Sequence, residues 1–436
     1  MAITIPSTST NGHTNGHTNG HTDSPHHPIV IAGGGCVGLF LALLLSHSAI
    51  PNRILVIEPF PPDPTSTRAI AHQPPTYPIL SRVPGLLEEL LQTGSLSSGL
   101  CFRTSVANGS KVIAEKRFSN GEVSGVLMKR LDVLGRDKVE VRVGWKVVGF
   151  EQSETSVRVD IVPTSSSSPS LAGEGQNHPQ QEQEHLEAAY LVGADGAHST
   201  IRKIFDVDFS GETLDAQLVA TDIHFDFKSH SFHDANFIID SLHYGHISRI
   251  ADSGLWRVSY SIPLGLSEEE IKQGVDAKLK GMLPNGGMNE MGEKMYEVVR
   301  VAPYKAQQRC VETFVKGRVC LVGDAAHLTN PYAGLGLASG MADASSLATV
   351  LAQILTHQAS DEEALLKAWS EDRRKKFFEV VDKPSRMAYK RVRQDVSTDE
   401  KIQGLLSRDP MVGALKKGMP VMPPSLQTVE KELKGW

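Results

Sequence analysis

The sequence predicts an α/β fold that carries a second, antiparallel-sheet domain and ends in a helical segment. The chain opens with one βαβ unit, made of a strand at 29–32, a glycine loop, a helix at 37–48 and a strand at 53–58. Further along, "DIHFDFKSH" and "LWRVSYSIPL" alternate apolar and polar residues, which is typical of half-buried antiparallel strands. Beyond His357 the sequence becomes charged and helical in pattern, and we expect helices there.

Length and charge limit the possible functions. The chain has 436 residues, of which 40% are hydrophobic, enough for two domains with a large core. Its net charge of -6 provides no basic surface for phosphates, so we expect no nucleic-acid partner. The four cysteines are far apart and form no Cys-x-x-Cys pair. We therefore expect a reducing, cytoplasmic location and no metal site.

The first motif lies in the loop of the βαβ unit and reads Gly33-x-Gly35-x-x-Gly38. Gly33 would form the tight turn, Gly35 would let the backbone approach a pyrophosphate, and Gly38 would let the helix pack on the strand. The helix N-terminus would offer its N–H groups to the phosphates. Glu58 ends the second strand, where it would bind ribose hydroxyls and repel the extra phosphate of NADP. The motif therefore predicts bound NAD or FAD.

Two further motifs follow strands. In "YLVGADGAHSTIRK" a strand leads into Asp195-Gly196-x-x-Ser199-x-x-Arg202 at the start of a helix. Taken alone, this pattern could be a helix capped by Ser199. In "GRVCLVGDAAHLTNPYAGLGLASG", residues 317–340, an apolar strand ends at Gly323-Asp324, and a glycine loop leads into a helix predicted over 335–354. Open α/β sheets bind ligands at the carboxyl ends of their strands, which makes this loop a candidate site.

These three motifs, in this order and spacing, resemble those of the single-component (class A) FAD-dependent aromatic hydroxylases, the para-hydroxybenzoate hydroxylase-like flavoprotein monooxygenases. The resemblance covers residues 28–355. The stretch "RAIAHQPPTYPIL", which begins at Arg68, is similar to the family's segment that passes over the flavin. The resemblance implies FAD rather than NAD as the bound cofactor, in a Rossmann-like domain of the GR2 type.

The resemblance also implies residue roles. Asp324 would accept hydrogen bonds from the ribityl hydroxyls, and the helix after Leu335 would point its amides at the flavin pyrimidine edge. Asp195 and Arg202 would support the pyrophosphate region and the approach of the reductant, and Arg68 would lie close to the flavin. The expected cofactor-binding residues are Gly33, Gly35, Gly38, Glu58, Arg68, Asp195, Gly196, Arg202, Gly323, Asp324, Pro331, Gly334 and Gly336.

The chain departs from the family pattern at residues 333–338. The family often reads Gly-Gly-Gln-Gly-x-Asn there, whereas this chain reads Ala-Gly-Leu-Gly-Leu-Ala. Contacts made by those Gln and Asn side chains are therefore absent, although backbone contacts can survive the change.

The implied reaction has two halves. NADH or NADPH reduces FAD, and O2 then gives a flavin hydroperoxide that hydroxylates an electron-rich aromatic carbon. A phenolic substrate must be deprotonated or hydrogen-bonded to become nucleophilic enough. Candidate groups on the sheet domain, each of which could instead be structural, are His243, Tyr244, His246, Arg257 and Tyr260. We expect a small aromatic substrate, and the polar leader, which resembles fungal proteins, favours a phenolic polyketide or related secondary metabolite.

Three alternative functions stay open at this point. The first is a halogenase or reductase of the same fold, although the halogenase signature Trp-x-Trp-x-Ile-Pro is missing. The second is an NAD-dependent dehydrogenase, which would not need Gly323-Asp324. The third is a flavin-binding protein without catalysis. The oligomeric state is not predicted by any of these patterns.

The domain boundaries follow from the motifs and from changes in composition. We expect residues 1–27, which carry NGHT repeats, to be a disordered leader with no signal or transit peptide. The apolar run at 29–45 is broken by glycines, so we expect no integral membrane segment. The expected parts are an FAD-binding domain at 28–208 with a flexible insertion at 163–187, a substrate-binding sheet domain at 209–300, the second FAD-binding part at 301–358 and a C-terminal helical region at 359–436.

Overall fold

The structure is a computed structural model that describes residues 26–61, 71–72, 76–94, 97–117, 126–127, 137–164, 183–251, 253–419 and 425–436. Its strands are β1 (Ile29–Ala32), β2 (Ile54–Glu58), β3 (Ala71–His72), β4 (Gly99–Thr104), β5 (Val112–Arg117), β6 (Val126–Leu127), β7 (Val139–Val143), β8 (Trp145–Gln152), β9 (Val157–Pro163), β10 (Glu184–Ala188), β11 (Tyr190–Gly193), β12 (Phe209–His224), β13 (Ala235–Ile239), β14 (Gly245–Arg249), β15 (Leu255–Ile262), β16 (Glu297–Val311), β17 (Val315–Lys316), β18 (Val319–Leu321) and β19 (His327–Leu328). Its helices are α1 (Cys36–Ser46), α2 (Tyr77–Leu80), α3 (Leu86–Thr93), α4 (Thr200–Phe205), α5 (Glu268–Met282), α6 (Gly336–Leu355), α7 (Glu362–Lys376), α8 (Lys383–Val392), α9 (Asp399–Arg408) and α10 (Pro410–Lys416).

A mostly parallel sheet of order β17-β18-β11-β1-β2-β7 forms the first layer. Strands β1 and β11 are buried along their whole length, which explains their nearly continuous apolar sequences. β1 pairs in parallel with β2 and β11, and β11 pairs in parallel with β18. Because β18, β11 and β1 are neighbours, the loops that follow them meet at one edge of the sheet. These loops carry the three predicted motifs.

The second sheet has the order β19-β16-β12-β15-β14-β13-β4-β5 and is largely antiparallel. Helix α5 packs on one face through Ile271, Val275 and Leu279, which share an apolar cluster with Trp256 and Val258 of β15. The opposite face contacts a short helical turn, Pro331–Ala333, that precedes α6. This opposite face is called the front face below.

The second sheet takes strands from more of the chain than the predicted interval 209–300. β12 to β15 come from that interval, whereas β4, β5 and β19 lie outside it, and β16 runs on to Val311. The ends of the predicted insertion at 163–187 also differ from expectation, because Glu184–Ala188 forms β10 and pairs antiparallel with β9. Residues 165–182 of the insertion, and most of the leader, lie outside the described residues.

The C-terminal region is helical, as its sequence predicts. α7 continues through a π-helical turn, Phe377–Asp382, into α8, while α9 and α10 pack on β4 and β5 through Leu405, Val412 and Leu415. Residues 425–436 return to the first domain, where Leu426 is buried. None of the helices in the described part of the chain has the length and apolar character needed to cross a membrane.

Candidate functional site

The glycine loop after β1 has the geometry that its motif predicts. Gly33 has a φ of +106°, and a Cβ there or on Gly38 would overlap backbone oxygens of Ala194 and Gly33 respectively. A Cβ on Gly35 would meet no atom within 4 Å. No side chain caps α1, and its first turn holds no acidic residue. Open space in front of an uncapped helix N-terminus suits a pyrophosphate, so this loop fits the ADP part of FAD.

Glu58 holds the loop from the end of β2. One carboxylate oxygen accepts a hydrogen bond from Gly34 N at 2.6 Å, and the other accepts one from Phe60 N at 3.1 Å. The side chain is half-buried at the edge of the loop. The carboxylate of Glu58 therefore orders the glycine loop.

The side chains of Asp195 and Arg202 make hydrogen bonds and ring contacts with other parts of the protein, which the family resemblance does not imply. Asp195 accepts hydrogen bonds from the Ser199 hydroxyl, from Thr200 N at 2.7 Å and from Ile201 N at 3.2 Å, and thereby caps α4. Arg202 is buried, and its guanidinium stacks over the Phe209 ring at 4.0 Å. The observed contacts of both side chains are structural.

The turn after β18 presents Asp324 next to Arg202. Arg202 Nη1 donates to the backbone oxygens of Ala325 at 2.9 Å and Asp324 at 3.3 Å. The Asp324 side chain is accessible to solvent. Desolvation by the surrounding protein nevertheless raises its pKa, and this effect exceeds the lowering by His327 and Arg202. The exposed carboxylate of Asp324 can therefore accept hydrogen bonds from a ligand.

A fully buried ionic network lies behind this turn. Asp343 of α6 accepts hydrogen bonds from Gly323 N at 3.0 Å, His327 Nε2 at 2.7 Å and Arg373 Nε at 2.8 Å. Burial alone would raise the pKa of Asp343, but His327 and Arg373 lower it. Arg373 also donates to Leu426 O at 2.6 Å, so the network links the turn, α6, α7 and the C-terminal segment.

The front face of the second sheet meets the Pro331–Ala333 turn in a group of tyrosines. The ring of Tyr332 lies 6.2 Å from that of Tyr244 and 5.8 Å from that of Tyr389 on α8. Tyr304 pairs with Leu218, which contacts this group, so both project from the front face. Desolvation by the surrounding protein raises the pKa of Tyr304 to about 12, although the residue is 36% exposed. These side chains form an aromatic wall with hydroxyl groups between the two domains.

The five catalytic candidates lie on two different sides of the sheet. Tyr244, His246 and Arg257 project from the front face, because Ile247 and Val258 beside them belong to the cluster under α5. Tyr260 belongs to that cluster and hydrogen-bonds Thr221 Oγ1 at 3.2 Å. A Cβ on Gly281 of α5 would lie 3.1 Å from Nδ1 of the fifth candidate, His243. Tyr260 and His243 therefore lie on the α5 side, away from the Pro331–Ala333 turn.

Of the three front-face candidates, Arg257 is held in an ion pair. Its Nε and Nη2 lie 2.8 and 3.1 Å from the carboxylate of Asp222, which is 1% exposed. Burial and the charge of Arg257 lower the pKa of His246 to about 4, so this imidazole is neutral at pH 7. A neutral imidazole on the front face can donate one hydrogen bond and accept another.

The remaining predicted cofactor residues occupy the loop before α6, and one cannot be placed. Pro331 and Gly334 are exposed in that loop, and Gly336 begins α6. Gly196 lies after β11 with a φ of +79°. Arg68 lies outside the described residues. Tyr304, Tyr389 and Asp215 have no motif or spacing that would mark them in the sequence, since packing of distant elements brings them to the site.

Comparisons with known proteins agree with this geometry. The family described as "FAD binding domain" matches residues 26–383. Para-nitrophenol 4-monooxygenase of Pseudomonas sp. (strain WBC-3) is 33% identical over 368 residues, which cover 81% of this chain and 84% of the relative. The 6-hydroxy-3-succinoylpyridine 3-monooxygenase HspB of Pseudomonas putida (strain DSM 28022 / S16) is 33% identical over 367 residues, 81% of this chain and 86% of the relative.

A solved structure extends the similarity to the fold. The p-nitrophenol 4-monooxygenase PnpA of Pseudomonas putida DLL-E4 superimposes with a TM-score of 0.77 at 27% identity, covering 90% of this chain and 96% of PnpA. Together with the glycine loop and the Gly323-Asp324 turn, these similarities establish the class and the cofactor. The chain belongs to the FAD binding domain family, and it is a flavin-dependent monooxygenase of the class A aromatic hydroxylases.

Proposed function

We propose that this monooxygenase hydroxylates a phenol bound between the front face of the sheet and the Pro331–Ala333 turn, with NADPH or NADH and O2 as co-substrates. One observation carries the proposal. Tyr389 donates a hydrogen bond to Asp215 Oδ1 at 2.6 Å, and its oxygen lies 3.5 Å from the hydroxyl of Tyr244. The Asp215 side chain is 63% exposed. A row of hydroxyls thus connects the buried aromatic wall with solvent.

The row can move a proton away from a bound phenol. The phenol gives its proton to the oxygen of Tyr244, Tyr244 gives its own to Tyr389, and Tyr389 gives its own to Asp215, which exchanges with water. The hydrogen bond from Tyr389 lowers the pKa of Asp215, as does Arg393, whose Nη1 lies 3.0 Å away. Burial raises the pKa of Tyr389, so this tyrosine stays protonated at neutral pH and relays protons rather than holding a charge.

Tyr332 provides a further contact for the substrate. Its side chain is 3% exposed, and its hydroxyl has no hydrogen-bond partner among the described residues. A buried hydroxyl without a partner costs about 1–3 kcal/mol, which a phenolic oxygen or a water molecule beside it would recover. The geometry supports a role for Tyr332 in orienting the phenol.

The cofactor residues follow from the same geometry. We propose that the glycine loop and Glu58 hold the ADP part of FAD, and that Asp324 holds the ribityl chain. The loop before α6, with Pro331, Gly334 and Gly336, would meet the flavin ring, and Arg68 would approach it from the preceding segment. When bound, FAD supplies the transfer of electrons from the nicotinamide to O2. The protein then has to position the phenol and keep water away.

For the substrate we propose a single hydroxylated ring. The two relatives that are 33% identical are named for such compounds, para-nitrophenol and a hydroxylated pyridine. A phenolic polyketide stays a prediction of the sequence and belongs in the same test. We also propose that the protein works in the cytoplasm, a location supported by four cysteines that lie in the described part of the chain and form no disulfide.

The test is NADPH and NADH oxidation by the purified protein across a panel of single-ring and polycyclic phenols, with mass spectrometry of the products. Each phenol is paired with its methyl ether, which has the same ring and no proton to lose. We expect phenols to accelerate oxidation and to gain one oxygen atom, and the methyl ethers to do neither. Equal hydroxylation of a phenol and its methyl ether would contradict the proposed role of the hydroxyl row.

A further inference from the structure

Gln308 lies where three parts of the molecule meet. It belongs to β16 of the second sheet and is 1% exposed. Its amide oxygen accepts hydrogen bonds from Asn330 N at 2.5 Å, Asn330 Nδ2 at 3.0 Å and Thr329 Oγ1 at 2.9 Å. Its amide nitrogen donates to Asp382 Oδ1 at 2.8 Å. One side chain therefore ties the sheet to the loop before α6 and to the end of the π-helical turn.

The orientation of this amide is fixed by its partners. A backbone N–H can only donate and an ionised carboxylate can only accept, so the Gln308 oxygen must face Asn330 and the nitrogen must face Asp382. Turning the amide over would break both contacts. Gln308 is thus a directional link between Asn330 and Asp382.

Both ends of this link lead to the proposed substrate site. Asn330 accepts a hydrogen bond from Tyr332 N at 3.1 Å and donates one to Ser385 O of α8 at 3.0 Å. Asp382 immediately precedes α8, which carries Tyr389 seven residues further on. Asn330 and Ser385 are both fully buried. The link therefore joins the turn that carries Tyr332 to the helix that carries Tyr389.

We propose that Gln308 and Asp382 are positioning residues that couple phenol binding at the hydroxyl row of Tyr244 and Tyr389 to the position of the Pro331–Ala333 turn. This inference rests on the proposed function, because it takes that row as the place where the phenol binds. A displacement of α8 by substrate is passed to the turn because the buried hydrogen bonds between them cannot stretch without breaking. The turn belongs to the loop that would meet the flavin ring, so a change in its position would change how readily the bound cofactor is reduced. Without the link, phenol still binds, but reduction no longer depends on it.

The central variant is Gln308→Glu. Glutamate keeps an acceptor for Asn330 and loses the donor to Asp382, which leaves two carboxylates facing each other. The matched rescue is the double variant Gln308→Glu/Asp382→Asn, in which the amide and the carboxylate exchange places and the total charge of the pair is unchanged. Asp382 also accepts from Arg386 Nε at 2.8 Å, and an asparagine oxygen can keep that contact.

Three quantities are measured for each protein. The first is the acceleration of NADPH oxidation by phenol, the second is the change in the flavin absorption spectrum on phenol binding, and the third is the FAD dissociation constant of the apoprotein. In Gln308→Glu we expect the acceleration to fall by about tenfold and the spectral change to shrink, with FAD affinity within about twofold of wild type. The double variant should recover the acceleration and the spectral change.

The outcomes separate the inference from the proposed function. Acceleration in Gln308→Glu equal to wild type, or a double variant no better than the single one, would overturn the coupling role alone. A wild-type protein that no phenol accelerates would overturn the proposed function itself. If Gln308→Glu fails to fold, Asp382→Ala tests the same link from its other end, where the Asp382 side chain is 14% exposed. NADPH oxidation in Asp382→Ala that phenol accelerates as strongly as in wild type would overturn the inference.

Discussion

Arg202 holds the backbone of Asp324, with Nη1 3.3 Å from its carbonyl oxygen. The two residues belong to different motifs that lie 122 positions apart in the chain. The DGxxSxxR motif therefore positions the Gly323-Asp324 turn through the guanidinium of Arg202. The carboxylate of Asp324 stays available for a ligand.

Asp324→Ala should weaken FAD binding by roughly tenfold or more. The variant removes the carboxylate that would accept a hydrogen bond from a ribityl hydroxyl of FAD. A hydrogen bond to a charged group contributes about 1.5–3 kcal/mol. Titration of the apoprotein with FAD, followed by flavin fluorescence, measures the dissociation constant. Full FAD occupancy and activity in the variant would show that Asp324 does not hold the ribityl chain.

Arg202→Lys should weaken FAD binding, although the hydrogen bonds of the Arg202 guanidinium go to backbone oxygens of the protein. Lysine cannot reproduce the donors that reach Ala325 O at 2.9 Å and Ala197 O at 2.6 Å, so the turn loses its support. We expect a loss of about tenfold in affinity together with a lower melting temperature. Lys203→Ala, at the exposed neighbouring position, is the control and should leave both unchanged.

Arg373→Leu should destabilise the folded protein by about 3–5 kcal/mol, because it leaves the buried carboxylate of Asp343 with one cationic partner fewer. The variant also frees Leu426 O, to which Arg373 donates. Urea unfolding followed by circular dichroism gives the free energy of unfolding. Lys375→Ala changes an exposed cation on the same helix and should lie within about 0.5 kcal/mol of wild type.

His246 should stay neutral through the physiological range, because its pKa is lowered from 6.5 to about 4 in the folded protein. The unfolded chain binds the proton more readily between these values. The contribution of His246 to stability is therefore complete above pH 6.5 and is lost as pH falls toward about 4. Histidine NMR titration reads the pKa directly, and a value above the ordinary 6.5 would contradict the desolvation of this imidazole and the effect of the Arg257 charge.

Tyr389→Phe should slow hydroxylation of weakly acidic phenols by about a hundredfold at neutral pH, because the row of hydroxyls to Asp215 is interrupted. Phenols that are already ionised in solution need no relay and should lose much less. The measurement is kcat against pH for a weakly acidic and a strongly acidic phenol. Equal losses for both would show that Tyr389 shapes the site without carrying protons.

The sequence predicts the backbone geometry of the glycine loop because local rules determine it. Gly33 and Gly38 are required by a backbone turn and a close helix approach, and Glu58 follows from its place at the end of β2. These constraints act within one βαβ unit, so the positions of these residues in the sequence determine where they lie relative to one another in the structure. The similarity to flavin-dependent monooxygenases confirms the cofactor prediction.

The substrate half follows from contacts between distant segments, which no spacing in the sequence records. Tyr389 and Asp215 lie 174 positions apart and meet only because α8 packs across the front face of the sheet. Alternation along β15 does separate Arg257 from Tyr260, but it cannot tell which face meets the cofactor domain. The burial of Asp343 with Arg373 likewise depends on the return of the C-terminal segment.

The most direct test of the account is hydroxylation under dioxygen labelled with the heavy oxygen isotope, with FAD-loaded protein, NADPH and the most stimulating phenol of the panel. A flavin-dependent monooxygenase transfers one atom of O2 to its substrate. We therefore predict a product that carries one heavy oxygen atom, formed only when phenol, NADPH and O2 are all present. An unlabelled product, or NADPH oxidation that yields only hydrogen peroxide with every phenol, would contradict the account.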